Sequence, residues 1–264
     1  KMNYEFKDRR AIVTGASSGI GKGIAMRFAK MGVKVVLSAR RQEELEGVAA
    51  EIRSHGGTAI VAPCDVTNPE DVTRVVRTAV DELGGVDIMV NCAGIAGPMI
   101  FEETPPERFR QHMDVNYFGA VEFVRNVLPI MKEQGNGYIV NISSITGLKG
   151  LPTYTSYGAS KFALTGFSDS LRHEVKKYGI KVSVVAPPGV HTPLVDDDLE
   201  SHADWFHKFK LIEVDQVLNK MIKGMRKGRF LILVSADTKM MHAMVRFFPR
   251  AFTALLMWLY KMEK

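Results

Sequence analysis

Ala11-Ile12-Val13-Thr14-Gly15-Ala16-Ser17-Ser18-Gly19-Ile20-Gly21 is the stretch that decides the fold. Its first three residues are a short apolar run of the kind that forms a buried strand. A glycine-rich turn follows, and a helical apolar pattern continues through Met31. Strand, turn and helix in that order bring free backbone N–H groups and the positive end of a helix dipole to one point, which suits a pyrophosphate. The spacing is T-G-x-x-x-G-x-G and differs from the common G-x-G-x-x-G. Alone, the turn would read equally well as an ordinary tight turn; the strand before it and the helix after it favour a nucleotide.

Outward from this unit the chain alternates. Apolar runs suggest strands at 10–14, 34–38, 59–63, 87–91, 137–142, 181–186 and 229–234. Between them, helical patterns fall at 19–31, 41–55, 69–83, around 105–115, 116–132, 155–178 and 214–227. Such alternation predicts an α/β fold: one Rossmann-type, doubly wound parallel sheet of about seven strands with helices on both faces. With 264 residues and 46% hydrophobic content, residues 1–264 are expected to form a single domain. Ligands of such sheets lie beyond the carboxyl ends of the strands.

A second cluster carries chemistry. Tyr157-Gly158-Ala159-Ser160-Lys161 lies in a helical pattern, so Tyr157 and Lys161 share one face. An ammonium beside a phenol favours the phenolate, and a serine hydroxyl at the same spot could hold a carbonyl oxygen during proton transfer. Tyr-x-x-x-Lys alone would also fit a solvated helix face.

Taken with the glycine turn, these residues make the chain similar to the short-chain dehydrogenases/reductases. The resemblance runs from about residue 8 to residue 193 and includes Asp65, Asn91-Cys92-Ala93-Gly94, Asn116, Ser144, Tyr157, Lys161 and Pro188-Gly189-Val190-His191-Thr192. It implies Asn116, Ser144, Tyr157 and Lys161 as the catalytic set. Ser144 is preferred to Ser143 because it precedes Tyr157 by the family's usual 13 residues. It also implies a cofactor site built from Gly15, Ser17, Ser18, Gly19, Ile20, Gly21, Asp65, Val66, Asn91, Ala93, Gly94, Tyr157, Lys161, Pro188, Gly189, Val190 and Thr192. By the same resemblance Asp65 would meet the adenine and Lys161 the nicotinamide ribose. Asn116 would bend its helix and hold a water in a relay with Lys161. A homodimer or homotetramer is the implied assembly.

Cofactor choice turns on the end of the second strand, Ser38-Ala39-Arg40-Arg41. NAD-specific sites place Asp or Glu there, whereas a guanidinium can pair with a 2′-phosphate. NADP(H) is therefore expected, with Arg40 as the first contact and Ser38 or Arg41 assisting. The glycine loop carries Ser17-Ser18, where many NADP-preferring relatives have a basic residue. Cys64 and Cys92 read as buried free thiols in a reducing, cytoplasmic setting. The scattered histidines lack the spacing of a zinc site, so no metal is expected.

Beyond the shared motifs, residues 193–212 read as a substrate lid with Asp196-Asp197-Asp198, Trp205, Phe206 and Phe209. An acidic loop whose aromatics dock on the core is the other reading. Residues 216–264 hold ten Lys/Arg against two Asp/Glu, a local net of +8 where the whole chain has +6. The amphipathic tail at 236–264 is too short in its apolar run to span a bilayer, which needs about 20 residues. Two readings stand for it: a helix lying at a membrane interface, or an arm packed on the core or on a second subunit. No nucleic-acid motif accompanies the charge.

The tail, Tyr157 to Leu164 and Pro187-Pro188-x-x-x-Thr192-Pro193 look similar to 3-ketodihydrosphingosine reductases. The expected function is an NADP(H)-dependent interconversion of a hydrophobic ketone and its secondary alcohol, such as a long-chain 3-keto lipid. Steroid or retinoid dehydrogenases and 3-oxoacyl thioester reductases are the alternatives. A non-catalytic NADPH sensor and a membrane-recruited module are the readings from other classes.

Overall fold

The computed structural model describes residues 4–196 and 210–261. Seven parallel strands run in the order β3-β2-β1-β4-β5-β6-β7. They are β1 (Arg10–Thr14), β2 (Lys34–Ser38), β3 (Ala59–Val61), β4 (Ile88–Asn91), β5 (Gly137–Ile142), β6 (Ile180–Ala186) and β7 (Leu231–Leu233). Strand order reverses between β1 and β4, which pair in register from Ala11↔Ile88 to Val13↔Val90. A crevice opens at the carboxyl ends of strands at such a reversal.

Helices α1 (Gly19–Lys30), α2 (Gln42–Ser54), α3 (Pro69–Leu83), α4 (Pro106–Met113), α5 (Gly119–Glu133), α6 (Thr155–Val175), α7 (Pro193–Asp196) and α8 (Val214–Arg226) fill the connections. One face of the sheet is covered through Ile24, Phe28, Leu45, Val217 and Met221. The other is covered through Val72, Val75, Phe123, Val127 and Leu171. Helix α3 shows how sequence sets these elements. Asn68 accepts from Glu70 N at 3.0 Å, Pro69 opens the first turn, and Val72, Val75, Val76 and Ala79 form its buried stripe. Burying one such valine is worth about 1.5–3 kcal/mol relative to leaving it exposed.

The break expected between helices near residue 115 is a π-helical turn, Asp114–Phe118, joining α4 directly to α5. At the opposite end of the sheet, Asp87 binds Arg10 Nε at 2.7 Å and Arg10 N at 2.9 Å. These bonds join the starts of β1 and β4.

The tail forms two helices, α9 (Ala236–Phe247) and α10 (Pro249–Lys261). Thr238 and Phe252 are buried, and Lys149 Nζ donates to Thr253 Oγ1 at 3.4 Å, so one side of the tail packs on the protein. The other side leaves Phe247 69%, Phe248 65% and Trp258 57% exposed. Among the described residues no helix is long and apolar enough to cross a membrane. Most of the expected lid, including Trp205, Phe206 and Phe209, lies outside the described residues. Its ends are tied together by His191 N to Ile212 O and Ile212 N to Gly189 O, each 3.0 Å.

Candidate active site

A cleft of about 990 Å³ runs along the carboxyl ends of β1, β2, β4 and β5. Its floor at the switch point is set by Thr14, whose Oγ1 accepts from both Cys92 N and Ala93 N at 3.0 Å. Gly15 turns with φ +66°, and a Cβ there would stand 3.0 Å from the Ala93 backbone, so only glycine lets the two loops meet. Helix α1 begins at Ser18 with no side-chain cap and no acidic residue in its first turn. Its unpaired N–H groups therefore suit an anion in the cleft. Gly15, Ser17, Ser18, Gly19, Ile20 and Gly21 all line this end.

Arg40 and Arg41 line the same end, beyond β2. Arg41 Nη2 donates to Ser17 Oγ at 3.2 Å and Ser18 Oγ at 3.3 Å. It also pairs with Glu44 at 3.5 Å. Ser38 is fully buried behind the cleft lining, with its hydroxyl facing the Cys64 thiol. Asp65 and Val66 line the cleft, and Asp65 Oδ1 accepts from Thr67 N at 2.9 Å.

Toward the other end stand Ala93, Gly94, Ser144, Tyr157, Lys161, Pro188, Val190 and Thr192. The Ser144 hydroxyl faces the Tyr157 phenol, lowering its pKa slightly, and accepts from Thr146 N at 3.1 Å. Ser143 is instead tied to the helix, donating to Lys161 O at 3.2 Å and bonding Thr165 Oγ1 at 2.9 Å. Geometry thus separates the two serines. Lys161 Nζ donates to Ile142 O at 3.0 Å and sits 5.7 Å from the Tyr157 ring centroid.

Burial pushes the Tyr157 phenol up to about 12, against a smaller lowering by Ser144. Burial likewise pushes Lys161 down to about 8. In the protein alone desolvation is the largest influence on both groups. Cys92, beside Lys161, is pushed up to about 12 by burial and is a neutral thiol.

Asn116 sits in the π turn, buried behind the cleft wall. Its Oδ1 accepts from Ile95 N at 2.8 Å, and its Nδ2 donates to Ile95 O at 3.0 Å and Ser160 Oγ at 2.9 Å. A Cβ on Gly94 would lie 3.1 Å from Asn116 Oδ1 and 3.5 Å from Lys161 Nζ, so both groups converge there. Asn91 lies beneath the lining. Its amide donates to Asn141 Oδ1 at 2.8 Å, and Asn141 donates to Ser168 Oγ at 2.7 Å, so it ties the sheet together beneath the cleft lining. Gly189 also lies behind the lining, where its carbonyl accepts from Ile212 N.

Sequence reading missed Arg108, Gln111 and Val115, which line the cleft from one face of α4 and the π turn. Their spacing of three and four residues was the available signal. Among the described residues no group of three His, Cys, Asp or Glu converges as metal ligands would.

A parallel sheet with this switch point, an open helix N-terminus and a Ser/Tyr/Lys wall defines a dinucleotide-binding oxidoreductase. Residues 9–203 match the family model for short chain dehydrogenase, and the chain belongs to the short-chain dehydrogenase/reductase family. It is 35% identical to 3-ketodihydrosphingosine reductase of Bos taurus over 243 residues, 88% of this chain and 73% of that one. With the fatty acyl-CoA reductase of Acinetobacter baylyi it shares 41% identity over 191 residues, 72% of this chain and 65% of that one. Among solved structures, a 7α-hydroxysteroid dehydrogenase complexed with NADH and 7-oxo glycochenodeoxycholic acid superposes with a TM-score of 0.80 at 29% identity, covering 88% and 95% of the two chains. The family makes the protein an enzyme acting between CH–OH and C=O with a nicotinamide cofactor.

Proposed function

We propose that this protein reduces a hydrophobic ketone to its secondary alcohol, and reverses the reaction, using NADP(H). The facing hydroxyls of Ser144 and Tyr157 on the cleft wall carry this reading. In reduction, the Ser144 hydroxyl and the Tyr157 phenol both bond the carbonyl oxygen, and Tyr157 gives that oxygen its proton. In oxidation Tyr157 takes the proton from the alcohol. A bound nicotinamide supplies or accepts the hydride. Lys161 holds the ribose and replenishes charge beside Tyr157, with Asn116 orienting the segment behind it and serving the relay through a water.

Arg40 and Arg41 would hold the 2′-phosphate of NADP(H). Ala39, where a carboxylate would repel that group, supports the choice. The uncapped first turn of α1 would hold the pyrophosphate, Asp65 with Val66 the adenine, and Val190 with Thr192 the carboxamide.

For the substrate, a long-chain 3-keto lipid such as 3-ketodihydrosphingosine is the specific candidate, supported by the named relatives and by the apolar tail. A steroid ketone is the second reading, favoured by the 7α-hydroxysteroid dehydrogenase likeness. The exposed Phe247, Phe248 and Trp258 together with Lys239, Arg246 and Arg250 support peripheral contact with an anionic membrane. Phe118, 54% exposed, and Phe162, 43% exposed, support a homo-oligomer through α5 and α6.

The test is oxidation of NADPH and of NADH across long-chain 3-ketones, steroid ketones and 3-oxoacyl thioesters. Turnover of a hydrophobic ketone with NADPH preferred is expected. Cofactor binding without turnover of any ketone would leave only a sensor.

A further inference from the structure

One buried titratable side chain touches the reacting tyrosine and has no part in the scheme above. His112 of α4 is 0% exposed. Its Nδ1 lies 2.9 Å from the Oγ of Ser156, the residue immediately before Tyr157. Its ring meets the Tyr157 ring edge to face, with centroids 6.0 Å apart and planes at 71°. The other nitrogen, Nε2, is buried, with the Ala96 carbonyl as its nearby acceptor. The Ala96 carbonyl, which accepts from Arg108 one helical turn earlier, lies close to the imidazole and interacts with it.

The neighbours of the Tyr157 ring fall into two groups. Tyr154, with ring centroids 5.9 Å away, and Lys161, with Nζ 5.7 Å from the centroid, belong to the same stretch of chain as Tyr157. Lys161 ties this stretch to the sheet through Ile142 O, and Ser144 meets the phenol from the end of β5, but neither ties it to α4. His112 comes from α4, which continues through the π turn to Asn116 and is bonded to the loop after β4. It therefore braces the first turn of α6 against the wall opposite.

Burial, with Arg108 and Lys161 nearby, pushes the imidazole down to about 4, so it is neutral at pH 7. A neutral ring is an apolar brace that adds no third cation to the site, and it still satisfies the buried Ser156 hydroxyl. A leucine of similar volume would keep the packing and lose that bond.

We propose that His112, locked by Ser156, is a positioning residue that fixes the Tyr157 ring for proton transfer. This rests on the reading of Tyr157 as the proton donor. Proton transfer depends steeply on alignment, and a misplacement of about 1 Å can cost about 100-fold in rate.

The test uses the full chain, NADPH, and the ketone that the wild type reduces fastest. His112→Leu should lower kcat at least tenfold while the KM for ketone and the Kd for NADPH, from cofactor fluorescence, stay within twofold. His112→Asn, whose amide can reach the Ser156 hydroxyl, should recover kcat to within threefold of wild type. Ser156→Ala should lower kcat, and the double variant with His112→Leu should be no slower than the slower single one. A kcat for His112→Leu within twofold of wild type would overturn the proposal. So would an Asn variant as slow as the Leu variant, or losses that multiply. Should His112→Leu fail to fold, His112→Asn and Ser156→Ala decide alone: a fast Asn variant with a slow Ser156→Ala supports the bond, and any other pattern overturns it. Tyr157→Phe serves as the control. If it turns over normally, the proton-donor reading itself fails, independently of His112.

Discussion

Lys161 Nζ and the Tyr157 ring centroid stand 5.7 Å apart, and the ammonium spends a hydrogen bond on the Ile142 carbonyl at 3.0 Å. The pair is thus preorganised by the helix that carries it, with the lysine's position fixed from the sheet. In the protein alone burial pushes the phenol up to about 12 and the lysine down to about 8, so at pH 7 a neutral phenol faces a charged ammonium.

Tyr157→Phe removes the proton and keeps the ring. We expect kcat to fall by about 10²–10⁴, the usual worth of a positioned acid or base. The Kd for NADPH should stay within about threefold, because the phenol contributes little binding. Stopped-flow turnover and fluorescence titration separate the two.

Lys161→Met should abolish turnover yet stabilise the unliganded fold at pH 7. A lysine whose pKa is depressed from 10.5 to about 8 destabilises the folded state while it is charged. That cost is full below about pH 8 and disappears as pH rises toward 10.5. A shift of this size corresponds to about 3 kcal/mol, less whatever is lost with the bond to Ile142. Thermal melts should show a higher Tm for the methionine variant at pH 7 and a shrinking gap at pH 10. A lower Tm for the variant at pH 7 would contradict the sign.

Arg40→Ala and Arg41→Ala should each weaken NADPH binding about tenfold with little change for NADH, since a charge-assisted contact to phosphate contributes about 1.5–3 kcal/mol. Ala39→Asp should invert the preference by repelling the 2′-phosphate and accepting from the ribose hydroxyls. Arg41→Ala also frees Ser17 and Ser18 of the glycine turn, which Arg41 holds in the protein alone. Equal loss for both cofactors would show that the arginines do not read the 2′ position.

What the sequence made legible was whatever local spacing encodes. The strand–turn–helix from Ala11 to Met31 and the i, i+4 pair of Tyr157 and Lys161 are fixed by periodicity, and both stand as read. Where the side chains of Ser38 and Asn91 face was not legible, because the last residue of a strand can face either layer and only the packing against Cys64 and Asn141 decides. The burial of Tyr157 was not legible because it depends on the whole fold. His112 was invisible for the same reason: its partner Ser156 lies 44 residues away in sequence.

The tail is the part where charge and apolar surface point the same way. Phe247, Phe248 and Trp258 are exposed on α9 and α10 while Phe252 and Thr253 hold α10 to the protein. Deleting residues 249–264 should abolish sedimentation with phosphatidylserine vesicles, and Trp258→Ala should weaken it about tenfold. Raising salt should weaken binding to wild type too, because the basic contribution is screened. Activity on a soluble ketone should change little if the tail serves the membrane; its loss without any vesicle binding would identify a packing arm.

Asp87 tests the far end of the sheet, away from any chemistry. Burial alone would raise its pKa, but the bonds from Arg10 side chain and backbone hold the carboxyl below its usual range. A depressed folded pKa adds stability above the unfolded value, near 3.9, and that stability is lost as pH falls through the folded value. Asp87→Asn should cost about 2 kcal/mol at pH 7, because Arg10 keeps a partner but loses the charge. The cost should narrow toward pH 3 as the wild-type carboxyl protonates. Denaturant midpoints at pH 7 and pH 3 measure both, and kcat at pH 7 should be unchanged because the residue lies at the amino ends of β1 and β4, opposite the cleft.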